Sequence, residues 1–204
     1  MHTYDIRERG DLQTASKALI LLHGRGATAE NIMQLADFLA DEDWYVVGPQ
    51  ATGHQWYPYS FLMPSEQNEP WLSSAIDYVK KIIDNIAEKI PAESIYMMGF
   101  SQGACLTAEV AARNAVKFGG LGIFTGGLIG EEPARNLYSG DFAGTPVYIS
   151  NGDNDPHIPQ GRSEETRDQF QGMGASVTFD IFPGREHTII QEEIERAKEL
   201  LSLQ

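Results

Sequence analysis

The chain has 204 residues, with 15 Lys plus Arg against 29 Asp plus Glu, a formal net charge of −14. Hydrophobic residues make up 42% and charged residues 22%, a globular balance that excludes a disordered chain. The acidity argues against nucleic acid or an anionic membrane surface as the main partner, since both are polyanions. The length fits one domain over residues 1–204, long enough for a full core. Cys105 is the single cysteine, so no intramolecular disulfide exists, which fits a reducing compartment. No basic region followed by an apolar run marks the first residues as a signal peptide. Phe118 to Ile129 is too short and too glycine-rich to span a bilayer. The expectation is a soluble, cytoplasmic protein without stable membrane association.

Residues 1–10 fit an antiparallel edge strand. Lys17 to Leu22 is a short continuous apolar run, as in a buried parallel strand. Thr28 to Ala40 carries Ile32, Leu35, Phe38 and Leu39 at helical spacing. Trp44 to Val47 predicts a strand stopped by Gly48-Pro49. Ser74 to Ile90 predicts a helix with Ala75, Val79, Ile82, Ile86 and Ile90 on one face, closed by Pro91. Ser94 to Met98 is a strand and Gln102 to Asn114 a helix. Strands follow at 121–125 and 147–150, then a polar helix at 162–173 and a strand at 177–182. The last helix runs from Thr188 to Leu203, opened by a Thr188-x-x-Gln191 capping box. This alternation implies a mainly parallel, doubly wound sheet with helices on both faces, an α/β fold. Gln50 to Pro70 and Gly126 to Gly144 lack clear periodicity, and long loops in compact domains often carry function.

Gly99-Phe100-Ser101-Gln102-Gly103 lies between a predicted strand and a predicted helix. Gly-x-Ser-x-Gly in that setting is a nucleophile elbow: the turn is tight, the glycines leave room, and the serine hydroxyl stands at the carboxyl end of the sheet. Serine needs a base and an orienting acid to act as a nucleophile. The loop after the 147–150 strand offers Asp153 and Asp155, and only His187 follows the last strand. The backbone N–H of Gln102, at a helix N-terminus, is one expected donor to an oxyanion. Arg25 N–H, in the His23-Gly24-Arg25-Gly26 loop, is the other. His23 is expected to hold that loop by hydrogen bonds, and His157 to stand at the rim beside Asp155. No histidine spacing matches a metal site and no glycine-rich phosphate loop occurs, so no cofactor is expected.

Leu22-His-Gly-x-Gly, Gly-Phe-Ser-Gln-Gly-Ala, Gly-x-x-Asp-Pro-x-x-Pro and the late Gly-x-x-His together resemble the phospholipase/carboxylesterase family of α/β-hydrolases. The resemblance spans roughly residues 16–201. It implies Ser101 as nucleophile, Asp155 as acid and His187 as base, with Arg25 and Gln102 forming the oxyanion hole. It also implies an α/β-hydrolase fold without a large lid, a small-molecule ester as substrate, and a homodimer. One departure stands out: Arg25 occupies a position that is usually apolar, often Leu, in that family. The reading is a serine carboxylesterase for small to medium esters. Its alternatives are an acyl thioesterase or lysophospholipase with the same triad, and a non-catalytic ligand-binding protein on the same fold. Trp56 and Tyr57 are expected to wall the substrate pocket from the aromatic 50–70 loop. Arg185 is a candidate for a substrate anion or for one of the protein's own acids.

Overall fold

The structure is a computed structural model and describes residues 1–202. Its centre is a seven-stranded sheet in the order β1-β3-β2-β4-β5-β6-β7. The strands are β1 (Ile6–Arg9), β2 (Ala18–Leu22), β3 (Tyr45–Pro49), β4 (Ile95–Phe100), β5 (Gly120–Phe124), β6 (Pro146–Gly152) and β7 (Ser176–Phe182). All pairs are parallel except the edge pair, where β1 runs antiparallel to β3 with Ile6 opposite Pro49. The strand after Trp44 therefore continues through Gly48-Pro49 instead of stopping there, because β1 supplies an edge partner.

Strand β2 shows why an unbroken apolar run is needed. Successive side chains point to opposite faces. Ile20 and Leu22 join a core with Val47, Met97 and Leu106. Leu19 and Leu21 join the core on the other face with Ile32, Val46 and Met98. All five β2 residues are buried. Helices α3 (Trp71–Ala87), α4 (Gln102–Arg113) and α5 (Gln160–Gly172) contribute to the first core. Helices α1 (Ala29–Met33), α2 (Ala36–Leu39) and α6 (Gln191–Ser202) contribute to the second. No helix among the described residues is long and apolar enough to cross a membrane.

Three helices differ most from expectation. The 28–40 helix is two short ones, because bonds of the tighter i→i+3 type run through Gln34, Leu35, Asp37 and Phe38. Helix α3 starts at Trp71, directly after Pro70. Its last turn ends where the Ile86 carbonyl accepts both Lys89 and Ile90 N–H. Helix α6 starts at Gln191, and Thr188 is not its cap. Instead the Glu193 carboxylate accepts the Ile190 N–H at 2.7 Å. The expected end at Leu203 and the last two residues of the expected 1–204 domain lie outside the described residues.

Ile20→Ala removes a fully buried side chain between sheet and helices. It should cost about 2–5 kcal/mol in urea denaturation. A loss under about 1 kcal/mol would contradict this packing.

Candidate active site

The sheet order reverses around β2 and β4: β3 lies on one side of β2, and β4 and its successors on the other. Ligand crevices form at the carboxyl ends of the strands at such a switch point. Here the loops after β2 and β4 meet. A Cβ on Gly103 would lie 2.1 Å from the Leu22 carbonyl oxygen, so α4 can pack on the end of β2 only with glycine at this position. A Cβ on Gly24 would meet the Phe100 ring at 3.3 Å and the Ser101 Cβ at 3.4 Å, a close contact rather than a clash.

Ser101 has φ 54° and ψ −118°, a backbone state that costs a non-glycine residue about 1–3 kcal/mol. Two backbone bonds hold it there. Its N–H donates to the Phe124 carbonyl at 3.1 Å, and its carbonyl accepts Cys105 N–H at 3.0 Å. The Ser101 Oγ lies 2.8 Å from His187 Nε2. On the other side of the ring, His187 Nδ1 lies 2.8 Å from Asp155 Oδ2. Asp155 Oδ1 accepts the N–H groups of His157 and Ile158 at 2.8 and 2.9 Å. Burial alone would raise the Asp155 pKa. The bonds from His157 N–H, His187 and Ile158 N–H outweigh it and hold the group below the ordinary carboxylate range. Asp155 therefore stays ionised beside His187. Asp153, the alternative acid, instead accepts Gly184 N–H at 2.8 Å and joins the two loops that carry Asp155 and His187.

The N–H of Arg25 has no acceptor among the described residues. Gln102 N–H opens α4, in the first turn where no intrahelical carbonyl is available. The side chains of both residues grip the same segment. Gln102 accepts Trp56 N–H at 2.9 Å and donates to the Tyr57 carbonyl at 2.8 Å. The Arg25 guanidinium donates to the carbonyls of Tyr57, Pro58 and Tyr59 and to Gln55 Oε1, at 2.7–3.0 Å. His23 secures the start of this loop. Burial lowers its pKa, so the ring is neutral. Its Nε2 accepts Ala51 N–H at 3.1 Å, and Nδ1 donates to the Gly24 carbonyl at 2.7 Å.

Ser101 and His187 open into a cleft of about 440 Å³ walled by Arg25, Tyr57, Phe61, Cys105, His157 and Ile158. Tyr57 lines this cleft. Trp56, expected on the same wall, does not. It is fully buried, and its indole N–H donates to the His23 carbonyl at 2.9 Å. It supports the loop from the core side. Of the two roles expected for Arg185 the structure shows the pairing with an acid of the protein and not a place in the Ser101 cleft: the side chain turns inward and is 7% exposed. It donates to the carbonyls on either side of His187, those of Glu186 (3.3 Å) and Thr188, and to Thr125 Oγ1 at 2.6 Å. Its acid is the buried Glu193 on α6, at 3.8 Å, not the neighbouring Glu186. Phe61, Cys105 and Ile158 complete the apolar part of the wall. Ile158 follows the Asp155 motif directly, and Phe61 shares the aromatic loop with Tyr57. Burial pushes the Cys105 thiol up to about 12, so it stays protonated and does not compete with Ser101.

A serine, an aspartate and a histidine carried on the loops after β4, β6 and β7, at the carboxyl edge of this sheet, fit an α/β-hydrolase fold. The profile of the phospholipase/carboxylesterase family matches residues 9–204, and the chain belongs to that family. A phospholipase/carboxylesterase from Dyadobacter fermentans is 46% identical, with a TM-score of 0.96 over 98% of this chain and 97% of that one. Acyl-protein thioesterase 1 of Saccharomyces cerevisiae is 24% identical over 93% of each chain. A protein of Arabidopsis thaliana named a probable carboxylesterase is 30% identical over 64% of this chain. That match spans about half of the Arabidopsis protein, 50% of its length.

Glu193 lies above its ordinary 4.5, chiefly because burial penalises its carboxylate, while Arg185 pulls the other way. A carboxyl raised in the folded state favours folding fully below the unfolded pKa, and loses that contribution as pH rises through the folded value. Arg185→Gln leaves this carboxylate unpaired, a loss of about 3 kcal/mol near pH 8. Urea midpoints at pH 8 and pH 5 should show the defect shrinking at the lower pH, where Glu193 takes up a proton. An equal defect at both would contradict the pairing.

Proposed function

We propose that this chain is a serine carboxylesterase that hydrolyses small to medium carboxylic esters through an acyl-enzyme. The observation that carries this reading is the unbroken chain from Ser101 Oγ through His187 to Asp155, with 2.8 Å at each step. In the proposed reaction, Ser101 attacks the ester carbonyl as His187 Nε2 takes its proton. Asp155 holds the Nδ1–H tautomer and offsets the charge that forms on the ring. The tetrahedral oxyanion lies against the backbone N–H groups of Arg25 and Gln102. His187 returns the proton to the leaving alcohol. Water, deprotonated by the same histidine, then attacks the acyl carbonyl, and Ser101 leaves with the proton. We take the sheet and its flanking helices as one domain carrying this site.

The test is initial rates on p-nitrophenyl esters from acetate to palmitate, with wild type beside Ser101→Ala. The reading predicts fastest turnover at short to medium chains, and a loss of about 10⁴-fold or more in the variant. A maximum at the longest chains would favour a thioesterase or lysophospholipase. No rate that depends on Ser101 with any ester would reject the esterase, and leave a ligand-binding protein.

A further inference from the structure

The chain is strongly acidic, and its arginines are spoken for. Among the described residues, every arginine except Arg25 has a carboxylate oxygen within 3.8 Å. Arg25 has none. It stands on the wall of the Ser101 cleft, whose lining includes no Asp or Glu. Its acceptors are all neutral: three backbone carbonyls and the Gln55 amide oxygen. These four bonds fix the guanidinium in place and leave its charge uncompensated, with the Nε–H still unused. A fixed charge that needs no ordering on binding discriminates between substrates at little entropic cost.

A second cleft meets the first at His187. It is smaller, about 280 Å³, and is lined by Ala27, Ile32, Leu35, Phe100 and Ile189. His187 thus stands between one cleft that holds Ser101 and a lone arginine and one that is largely apolar.

We propose that the Arg25 cleft selects esters whose acyl part carries a free carboxylate, such as half-esters of short dicarboxylic acids, while an apolar alcohol part occupies the Phe100 cleft. Arg25 is the specificity-determining residue, through its charge. One guanidinium balances one carboxylate, whereas a phosphate dianion would leave surplus negative charge in an acidic protein. This rests on the esterase reading above, because it assigns the two halves of an ester to the two clefts.

The test compares p-nitrophenyl hydrogen glutarate with p-nitrophenyl pentanoate, which share a leaving group and an acyl length and differ in a terminal carboxylate. Wild type should favour the glutarate in kcat/KM by about fivefold or more. The preference should fall in 0.5 M NaCl as the charges are screened. Arg25→Gln should bring the ratio close to one, whatever it does to the absolute rates. Arg25→Lys keeps the charge without the four-way grip and should keep most of the ratio. A wild-type ratio near one overturns the proposal. So does a ratio that survives Arg25→Gln, which would make Arg25 a clamp for the 55–59 segment and nothing more. Pentanoate turnover by wild type reads the esterase assignment separately. Calorimetric titration of Ser101→Ala with monomethyl glutarate and methyl pentanoate reads recognition without turnover, and equal affinities there also overturn the proposal.

Discussion

The backbone at Ser101 is the constraint on which the site depends. A residue with φ 54° between a parallel strand and a helix is held only if its surroundings over-determine it. They do so through β4 pairing with β5, the Ser101 N–H on Phe124, and the seating of α4 on the end of β2 through Gly103. The hydroxyl is thereby raised above the sheet, and the first turn of α4 directs its N–H groups at the same spot. Relaxing this one turn would separate the Ser101 hydroxyl from His187 and from the first N–H groups of α4.

The partners reach Ser101 from loops far away in sequence, and each loop is tied by its own small network. Asp155 is held by two backbone N–H groups within its loop, and Asp153 joins that loop to the one bearing His187. Arg185 grips the carbonyls on both sides of His187 and is itself anchored to Glu193 on α6. On the opposite wall, the side chains of Arg25 and Gln102 both bind the Tyr57 carbonyl. The two residues proposed as oxyanion donors thus also fix the wall of the cleft, and in the proposed reaction substrate fit and oxyanion geometry are mechanically joined.

Much of this was legible in the sequence because it has local causes. Apolar runs such as 18–22 are what a strand buried on both faces requires. The Gly-x-Ser-x-Gly elbow and the positions of Asp155 and His187 after successive strands follow from chain order and topology. What was not legible depends on direction. An aromatic-rich loop has the same composition whether a ring faces a pocket or the core. Trp56 turned to the core to satisfy its indole N–H on His23, while Tyr57, one residue on, faces the cleft. For Arg185 the sequence leaves a substrate anion and an internal acid both open, because its acid, Glu193, lies on a helix that the sequence does not place beneath it. The 28–40 pattern reads as one helix because hydrophobic spacing does not register a switch to i→i+3 bonding at residues 34–38.

The proposed reaction passes through a covalent acyl-Ser101 intermediate formed with His187 as base. The most direct measurement is intact-protein mass spectrometry on samples mixed with p-nitrophenyl acetate and quenched in acid within milliseconds, followed by peptide mapping. The account predicts a single acetyl group on Ser101 in the wild type, absent in Ser101→Ala. Unmodified protein during active turnover, or an acetyl group on another residue with Ser101 free, would contradict it.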